Sequence, residues 1–483
     1  MQNLYKNKLY FLVISICVFF GIFIRLYNIN YDNLWFDEIL SFWVADPTIT
    51  TQESLTRHQS LEQIPFLFNL ILKFIFKIFS YDSLIGRYLS FIFNILGIFF
   101  IVKISRLIKK NNAFILSLFL LSSNIYLISY AQELRVYSLI LFLCSLNLWF
   151  FLSILKKNET LEKINLNFSI IFIFSQILMI ISHPFCLIVF FSTSLFSLAN
   201  YLKFKISIKL INYSILITLL FSVIYFFIYL SKVDTVPGWL EQPGLKFYTN
   251  FYFSKFFGSR ILGLIHLLIL ISLIFFFWQD FRKKYFTLNI FLIVLFLSYF
   301  LPMLFGYLLK PIIFPRYIIF VLIPIIILLS FLIFEIKNKV TKKILIVFLV
   351  TLTIGNHYTE TTIQQFIKER PFHKTDFLGA INEINHSNNK YYTLDLAFDP
   401  SIKVSASEAV QNYIQKLSSE TNITINYIEK DKFIKLEKNE VWTICIVGVM
   451  KNRCKYLSND FNSVILKEKK FTDITLKLIK KIN

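Results

Sequence analysis

A chain of 483 residues with 18% aromatic and only 16% charged residues, at a mean hydropathy of +0.63, carries too little polar surface for a soluble globular protein. Its formal charge of +21 would suit nucleic acid in a soluble chain. Here, though, Lys and Arg sit in short clusters between apolar runs, the pattern that orients a polytopic protein in a membrane.

Taken in chain order, apolar runs near the ~20 residues needed to cross a bilayer fall at roughly 9–27, 87–108, 113–131, 136–155, 166–183, 185–202, 210–230, 261–279, 286–308, 317–336 and 343–356. That is about eleven transmembrane helices. The first lacks a small-residue cleavage site and is read as a retained span. Between it and the second lies a loop, 28–86, containing "NLWFDEILSFW", in which Asp37 and Glu38 are flanked by Trp35, Phe36, Phe42 and Trp43. Neighbouring acids in an aromatic patch have two readings. They are a solvated loop pair, one that could cap an interfacial helix beginning near residue 38, or they are partly desolvated carboxylates suited to general-base work.

Further along this loop, "PFLFNLILKFIFKIFS" (65–80) is apolar but short and carries Lys73 and Lys77 at helical spacing. It reads as an amphipathic helix lying in the interface. The positive-inside rule supports this. If 65–80 does not span and the N-terminus is inside, the clusters at Lys6/Lys8, Arg106–Lys110, Lys156–Lys163, Lys203–Lys209, Arg282–Lys284 and Lys337–Lys343 all fall on the cytoplasmic side. The outer face then receives the 28–86 loop, "AQELRVY" at 131–137, "SHPF" at 182–185, the 231–260 loop, "KPIIFPRY" at 310–317 and the whole tail from about 357.

The tail alternates helix-like stretches ("KTDFLGAINEIN", "SEAVQNYIQKLSS") with strand-like runs ("KYYTLDLAF", "NITINYI", "VWTICIVGVM"), which points to a small extracytoplasmic α/β domain over 357–483, beside a membrane domain over 1–356. Cys445 and Cys454 are placed to pair if that domain is extracytoplasmic. Cys17, Cys144 and Cys186 lie in apolar runs and read as small core residues. No internal repeat and no metal-ligand spacing are visible.

Polar groups at membrane depth are costly and invite functional readings. Arg87 opens a span in "GRYLS", where a snorkelling anchor is the alternative. Glu133, Arg135 and Tyr137 form a polar knot that would otherwise be a structural ion pair, and Arg316 sits at a Pro-marked helix end. His58 and His183 are metal ligands or simply hydrogen-bonded histidines. What joins them is convergence on one face: a base, several fixed cations and apolar walls suit a reaction on a lipid-linked phosphate.

The motifs "RLYNINYDNLWFDEILS", "QIPFLFNLILKFIFKIF", "SLIGRYLSFIFNILG", "SYAQELRVYSLILFL", "SHPF", "PRYIIFVLIP" and "KERPFHKTDFLGAINEI" run in order across most of the chain. As an ordered set they resemble the bacterial membrane glycosyltransferases related to the dolichyl-phosphate-mannose protein mannosyltransferases and to the aminoarabinose transferase of lipid A, which have the type C glycosyltransferase fold. One departure is that "EQIPF" stands where these enzymes carry a histidine, with His58 about six residues upstream.

The resemblance implies inverting transfer of a sugar from a polyprenyl-phosphate donor to an extracytoplasmic lipid, glycan or protein acceptor at the outer face of the cytoplasmic membrane. It implies Asp37 as general base, Glu38 as its support, and Arg87, Arg135 and Arg316 as holders of the donor phosphate. Glu133, Tyr137, His58 and His183 would be supporting residues. No cofactor is required by it, a divalent metal is left open but not indicated, and nucleic acid is not a partner. A lipid or glycan transporter or flippase is the alternative. Such proteins tend to place ionisable groups near the midplane in repeated halves, whereas these acids sit at one face.

Overall fold

The computed structural model describes residues 2–62, 64–108, 112–160, 165–204, 208–230, 252–360, 374–396, 400–429, 440–446 and 463–481. Most of the 231–260 loop and Cys454 lie outside the described residues. The chain divides into two compact units: Met1–Tyr27 with Arg87–Glu369, and Asn28–Gly86 with Arg370–Asn483.

Helix α1 (Gln2–Leu26) opens the first unit. The second claims the short helices α2 (Phe36–Val44), α3 (Thr51–Leu61) and α4 (Leu67–Ile78). After α5 (Ser83–Ile108), the first unit continues with α6 (Ala113–Ser122), α7 (Ile125–Ala131), α8 (Tyr137–Glu159), α9 (Leu166–Ile180), α10 (Leu187–Phe204) and α11 (Lys209–Leu230). It is completed by α12 (Tyr252–Phe257), α13 (Arg260–Phe276), α14 (Trp278–Lys283), α15 (Asn289–Leu308), α16 (Leu322–Glu335) and α17 (Lys339–Glu360).

Among the described residues six helical segments are long and apolar enough to cross a membrane, and the bent pair α6–α7 makes a seventh. Four shorter apolar helices, Tyr10–Leu26, Leu166–Ile180, Lys209–Tyr225 and Arg260–Phe276, coincide with the remaining expected spans. The protein is thus a polytopic helical membrane protein. Its centre is made by helices surrounded by other helices: 83% of the apolar stretch of α8 and 89% of that of Pro315–Glu335 is buried, against 22% for Lys339–His357. The outer helices instead turn Phe11, Phe19, Phe227, Phe275 and Phe276 outward, as expected where lipid replaces water.

The second unit holds a five-stranded sheet of order β2-β1-β3-β5-β4. Its strands are β1 (Tyr391–Leu396), β2 (Asn426–Tyr427), β3 (Glu440–Ile446), β4 (Ser463–Phe471) and β5 (Ile474–Lys481). β1 pairs parallel with β2 and β3, while β5 pairs antiparallel with β3 and β4. The parallel centre is covered on both faces, so β3 is buried along nearly its whole length. Cys445 lies in β3 and is disulfide-bonded; Cys17, Cys144 and Cys186 are free and buried.

The edge strand β4 is exposed and carries Lys467, Lys469 and Lys470, charges that keep an open edge from pairing with other chains. Among the described residues the unit also holds two helices, α18 (Phe377–His386) and α19 (Pro400–Glu420). Asp376 caps α18, its Oδ1 accepting the Gly379 N–H at 2.8 Å.

α2 and α3 pack against α19. The 28–86 segment is thereby built onto a helix more than 310 residues away in sequence. The Leu34 N–H donates to the Tyr413 hydroxyl at 2.8 Å, and Ser60 Oγ bonds Ser405 Oγ at 2.9 Å. The Lys416 ammonium lies over the rings of Phe42 and Tyr81 at 4.9 and 4.4 Å.

Candidate functional site

The candidate residues fall into two groups, one in each unit. In the second unit, α2 begins at Phe36, which puts Asp37 and Glu38 in its first turn, where the N-terminal helix dipole favours anions. Glu38 is fully buried. Its Oε2 accepts the Trp35 N–H at 3.3 Å and the Lys374 ammonium at 2.8 Å. Glu38 therefore does cap the helix, and it is also an ion-paired carboxylate. Asp37, one residue earlier, is half-buried.

The loop around them is held by aromatic and basic groups. Phe42 stacks on Tyr81 at 4.1 Å, and the Tyr81 hydroxyl donates to the Phe42 carbonyl at 3.1 Å. Burial, and after it the charge of Asp46, pushes the Tyr81 phenol far above its ordinary value, so it stays neutral. Lys73 points into the loop and donates to the Asp46 and Ile49 carbonyls. Its helix, α4, is too short to cross a bilayer and turns Leu70, Phe74 and Ile78 outward, which agrees with an interfacial helix.

His58 is fully buried. Its Nε2 bonds the Ile64 carbonyl at 2.6 Å and its Nδ1 receives Asn69 at 3.0 Å. Both ring nitrogens are engaged within the loop, so His58 fixes the turn into α4.

In the first unit, Arg135 and Arg316 come together although 181 positions separate them. The Arg316 guanidinium lies 5.5 Å from the centre of the Tyr137 ring and that of Arg135 lies 5.9 Å from it. Arg316 also lies 4.7 Å from Phe314 and 5.8 Å from Tyr317. The Tyr317 ring packs on His183 at 5.1 Å, and both arginines act electrostatically on His183. The Phe185 N–H donates to His183 Nδ1 at 3.2 Å, so a neutral imidazole carries its proton on Nε2 as a donor. Glu133 and Arg316 both act on Tyr126 and Tyr130, and Tyr130 packs on Tyr137 at 5.2 Å. Arg87 is buried near the start of α5.

The local sequence explains this convergence. The turn between α7 and α8 is anchored by buried Leu134 and Val136. Gln132 Nε2 donates to the Arg25 and Tyr27 carbonyls at 3.1 and 3.0 Å, pinning the turn to the end of α1. Pro315 starts the 3-10 turn Pro315–Val321, which packs on α8 and delivers Arg316 and Tyr317. Such an arrangement of cations and aromatic faces can hold a multiply charged oxyanion beside an apolar chain. Among the described residues no group of three or more His, Cys, Asp or Glu could hold a metal ion.

Sequence reasoning passed over Lys374, Tyr317 and Arg25. Nothing local marks Lys374, whose partner is 336 residues away. Arg25 did leave a signal, as an ionisable group closing an apolar run.

No family model matches the sequence, and no curated protein matches it in sequence. In structure the chain is similar to ArnT from Cupriavidus metallidurans, both bound to undecaprenyl phosphate (TM-score 0.56) and in the apo state (0.59), at 11% identity over 98% of each chain. It is also similar to the Archaeoglobus fulgidus oligosaccharyltransferase in complex with Zn and sulfate, with a TM-score of 0.54 and 11% identity over 90% of this chain and 68% of that one. At such identity the likeness is one of architecture: the chain has the type C glycosyltransferase fold.

Proposed function

We propose that this protein is an inverting glycosyltransferase that moves a sugar from a polyprenyl-phosphate donor to an extracytoplasmic acceptor at the outer face of the cytoplasmic membrane. The observation that carries the reading is the meeting of Arg135 and Arg316 on the Tyr137 ring, in a fold whose solved neighbours include one bound to undecaprenyl phosphate and another bound to a dolichol-phosphate. Arg87, His183 and Glu133 complete the donor side of the proposal. The domain split it uses is a membrane part to residue 356 and an outer α/β part beyond it.

In the proposed reaction the Asp37 carboxylate takes the proton of an acceptor hydroxyl. The acceptor oxygen attacks the anomeric carbon from the face opposite the phosphate, and the bond from carbon to phosphate oxygen breaks. Charge then gathers on the departing polyprenyl phosphate, where Arg135 and Arg316 meet it. Donors placed where charge develops are each worth a few kcal/mol in a site that excludes water. Glu38, fixed by Lys374 and the Trp35 N–H, holds the turn that presents Asp37.

The test compares extracytoplasmic glycans, glycoproteins and glycolipids by mass analysis in cells with the protein, without it, and with Asp37→Asn. One sugar-bearing product should vanish in both deficient cells, since removing a general base costs about 10²–10⁴ in rate. An Asp37→Asn protein that restores the product at the parental rate would sink the assignment. Independently, undecaprenyl phosphate should stabilise the purified protein against heat, and Arg135→Ala with Arg316→Ala should abolish that stabilisation.

A further inference from the structure

By hydropathy 113–131 is one span, yet the chain breaks it at Ser123–Asn124 and bends it by 56°. An unbroken helix would satisfy the Leu121 and Ser122 carbonyls with the N–H groups four residues on, those of Ile125 and Tyr126. The break withdraws those donors, leaving the Leu121 carbonyl only a long contact from the Asn124 N–H at 3.5 Å, and inside a membrane under-satisfied carbonyls are costly. Their place is taken by Arg25, which is fully buried. Its Nη2 donates to the Leu121 carbonyl at 2.9 Å and its Nη1 to the Ser122 carbonyl at 2.8 Å. The fork is completed by the Gly21 carbonyl and by Asn94 Oδ1, both at 2.9 Å. All four acceptors are neutral.

Other groups favour the broken form. The next carbonyl, that of Ser123, is bonded by His357 Nε2. Asn124 starts the new helix, its Oδ1 accepting the Leu127 N–H at 2.9 Å, while its amide donates to the Phe256 carbonyl at 2.9 Å. Gly21 lets α1 approach the break, because a Cβ there would lie 2.9 Å from Ser122 Oγ.

We propose that Arg25 is a positioning residue. It substitutes for the two withdrawn N–H groups, holds the span in its broken form, and so sets where α7 delivers the turn carrying Glu133, Arg135 and Tyr137. Its value to the reaction rests on the donor-site reading above; its hold on the span does not.

The test places spin labels at Ser129→Cys on α7 and Ile344→Cys on α17, both outward-facing positions of the first unit, in the full chain in nanodiscs. Helix α7 has seven residues, about 10 Å of length, so straightening a 56° bend would move its tip by up to ~10 Å. Arg25→Met should shift the label distance by several ångströms. Ile125→Pro should restore it in the Arg25→Met background. Ile125 is the first residue of α7, where proline is tolerated, and a proline there offers no N–H to Leu121. Asn124 before it is already extended, at φ −71 and ψ 114.

Arg25→Lys, with charge but no fork, should give an intermediate shift, and so should Gly21→Ala. These two carry the test if Arg25→Met fails to insert. A distance unchanged in Arg25→Met, or in both milder variants, overturns the proposal, as does a shift that Ile125→Pro leaves in place. A shift that Ile125→Pro reverses, with undecaprenyl phosphate stabilising every variant equally, upholds the hold on the span and removes the donor-site reading.

Discussion

Glu38 and Arg25 are both fully buried ionisable groups, and they are neutralised in different ways. Glu38 faces an opposite charge, Lys374, at 2.8 Å. Arg25 faces four neutral oxygens. A charge answered by a charge is a reciprocal pair: removing either member strands the other. A cation answered by backbone dipoles strands only carbonyls, and those can find partners again if the helix they belong to re-forms. The first arrangement is costly to break, whereas the second holds one of two hydrogen-bonded forms of the same span.

The largest expected effect on stability is therefore at Lys374. Lys374→Met should destabilise the full chain by about 3–5 kcal/mol in thermal or urea unfolding, because it takes from the buried Glu38 carboxylate the ammonium that bonds it at 2.8 Å. Adding Glu38→Gln should return much of that loss, since a neutral amide tolerates the site. If the double variant is no more stable than Lys374→Met, the two charges are not coupled and the contrast with Arg25 fails.

Next comes Tyr413→Phe, which removes the acceptor of the buried Leu34 N–H. It should cost about 1–3 kcal/mol and loosen the loop, read as faster proteolysis between residues 28 and 35. Equal proteolysis in parent and variant would mean α19 does not hold that end of the loop.

The smallest effect belongs to an exposed pair of contacts. Lys467 and Lys469 each donate to Glu383 at 2.7 Å. These hydrogen bonds hold its carboxyl below the ordinary value, against the opposing effect of burial. A depressed folded value means that the contribution is complete above the unfolded carboxylate pKa of about 4.3 and is lost as pH falls through the lowered one. Glu383→Gln should cost less than about 1 kcal/mol near neutral pH and remove that acid-side loss. An acid limb identical to the parent's would show that the fork is screened away.

The spans were legible because each is a one-dimensional signal: twenty apolar residues mean the same thing wherever they occur. The C-terminal α/β part was legible for a similar reason, from strand-like runs such as "YYTLDL" and "VWTICI" standing between polar helix-like stretches. Partnerships across the chain were not. Asp37 and Glu38 stand out in sequence, but nothing near them announces Lys374, and nothing near Tyr137 announces Arg316. The break in 113–131 lies between these cases. "LSSNIYL" contains a helix-starting Asn at the break, yet the apolar run around it is long enough to read as one straight helix. His58 was visible as a polar residue in the loop, but only the fold shows it spending both nitrogens on Ile64 and Asn69.

Helix α4 has one further consequence. Its inner face, Phe68, Leu72 and Phe76, packs into the unit that carries Asp37 and Glu38, while Leu70, Phe74, Ile78 and the following Phe79 point out. A side chain of this kind gains about 1.5–3 kcal/mol on leaving water completely, so at an apolar boundary this stripe acts as a float for the unit that carries Asp37 and Glu38.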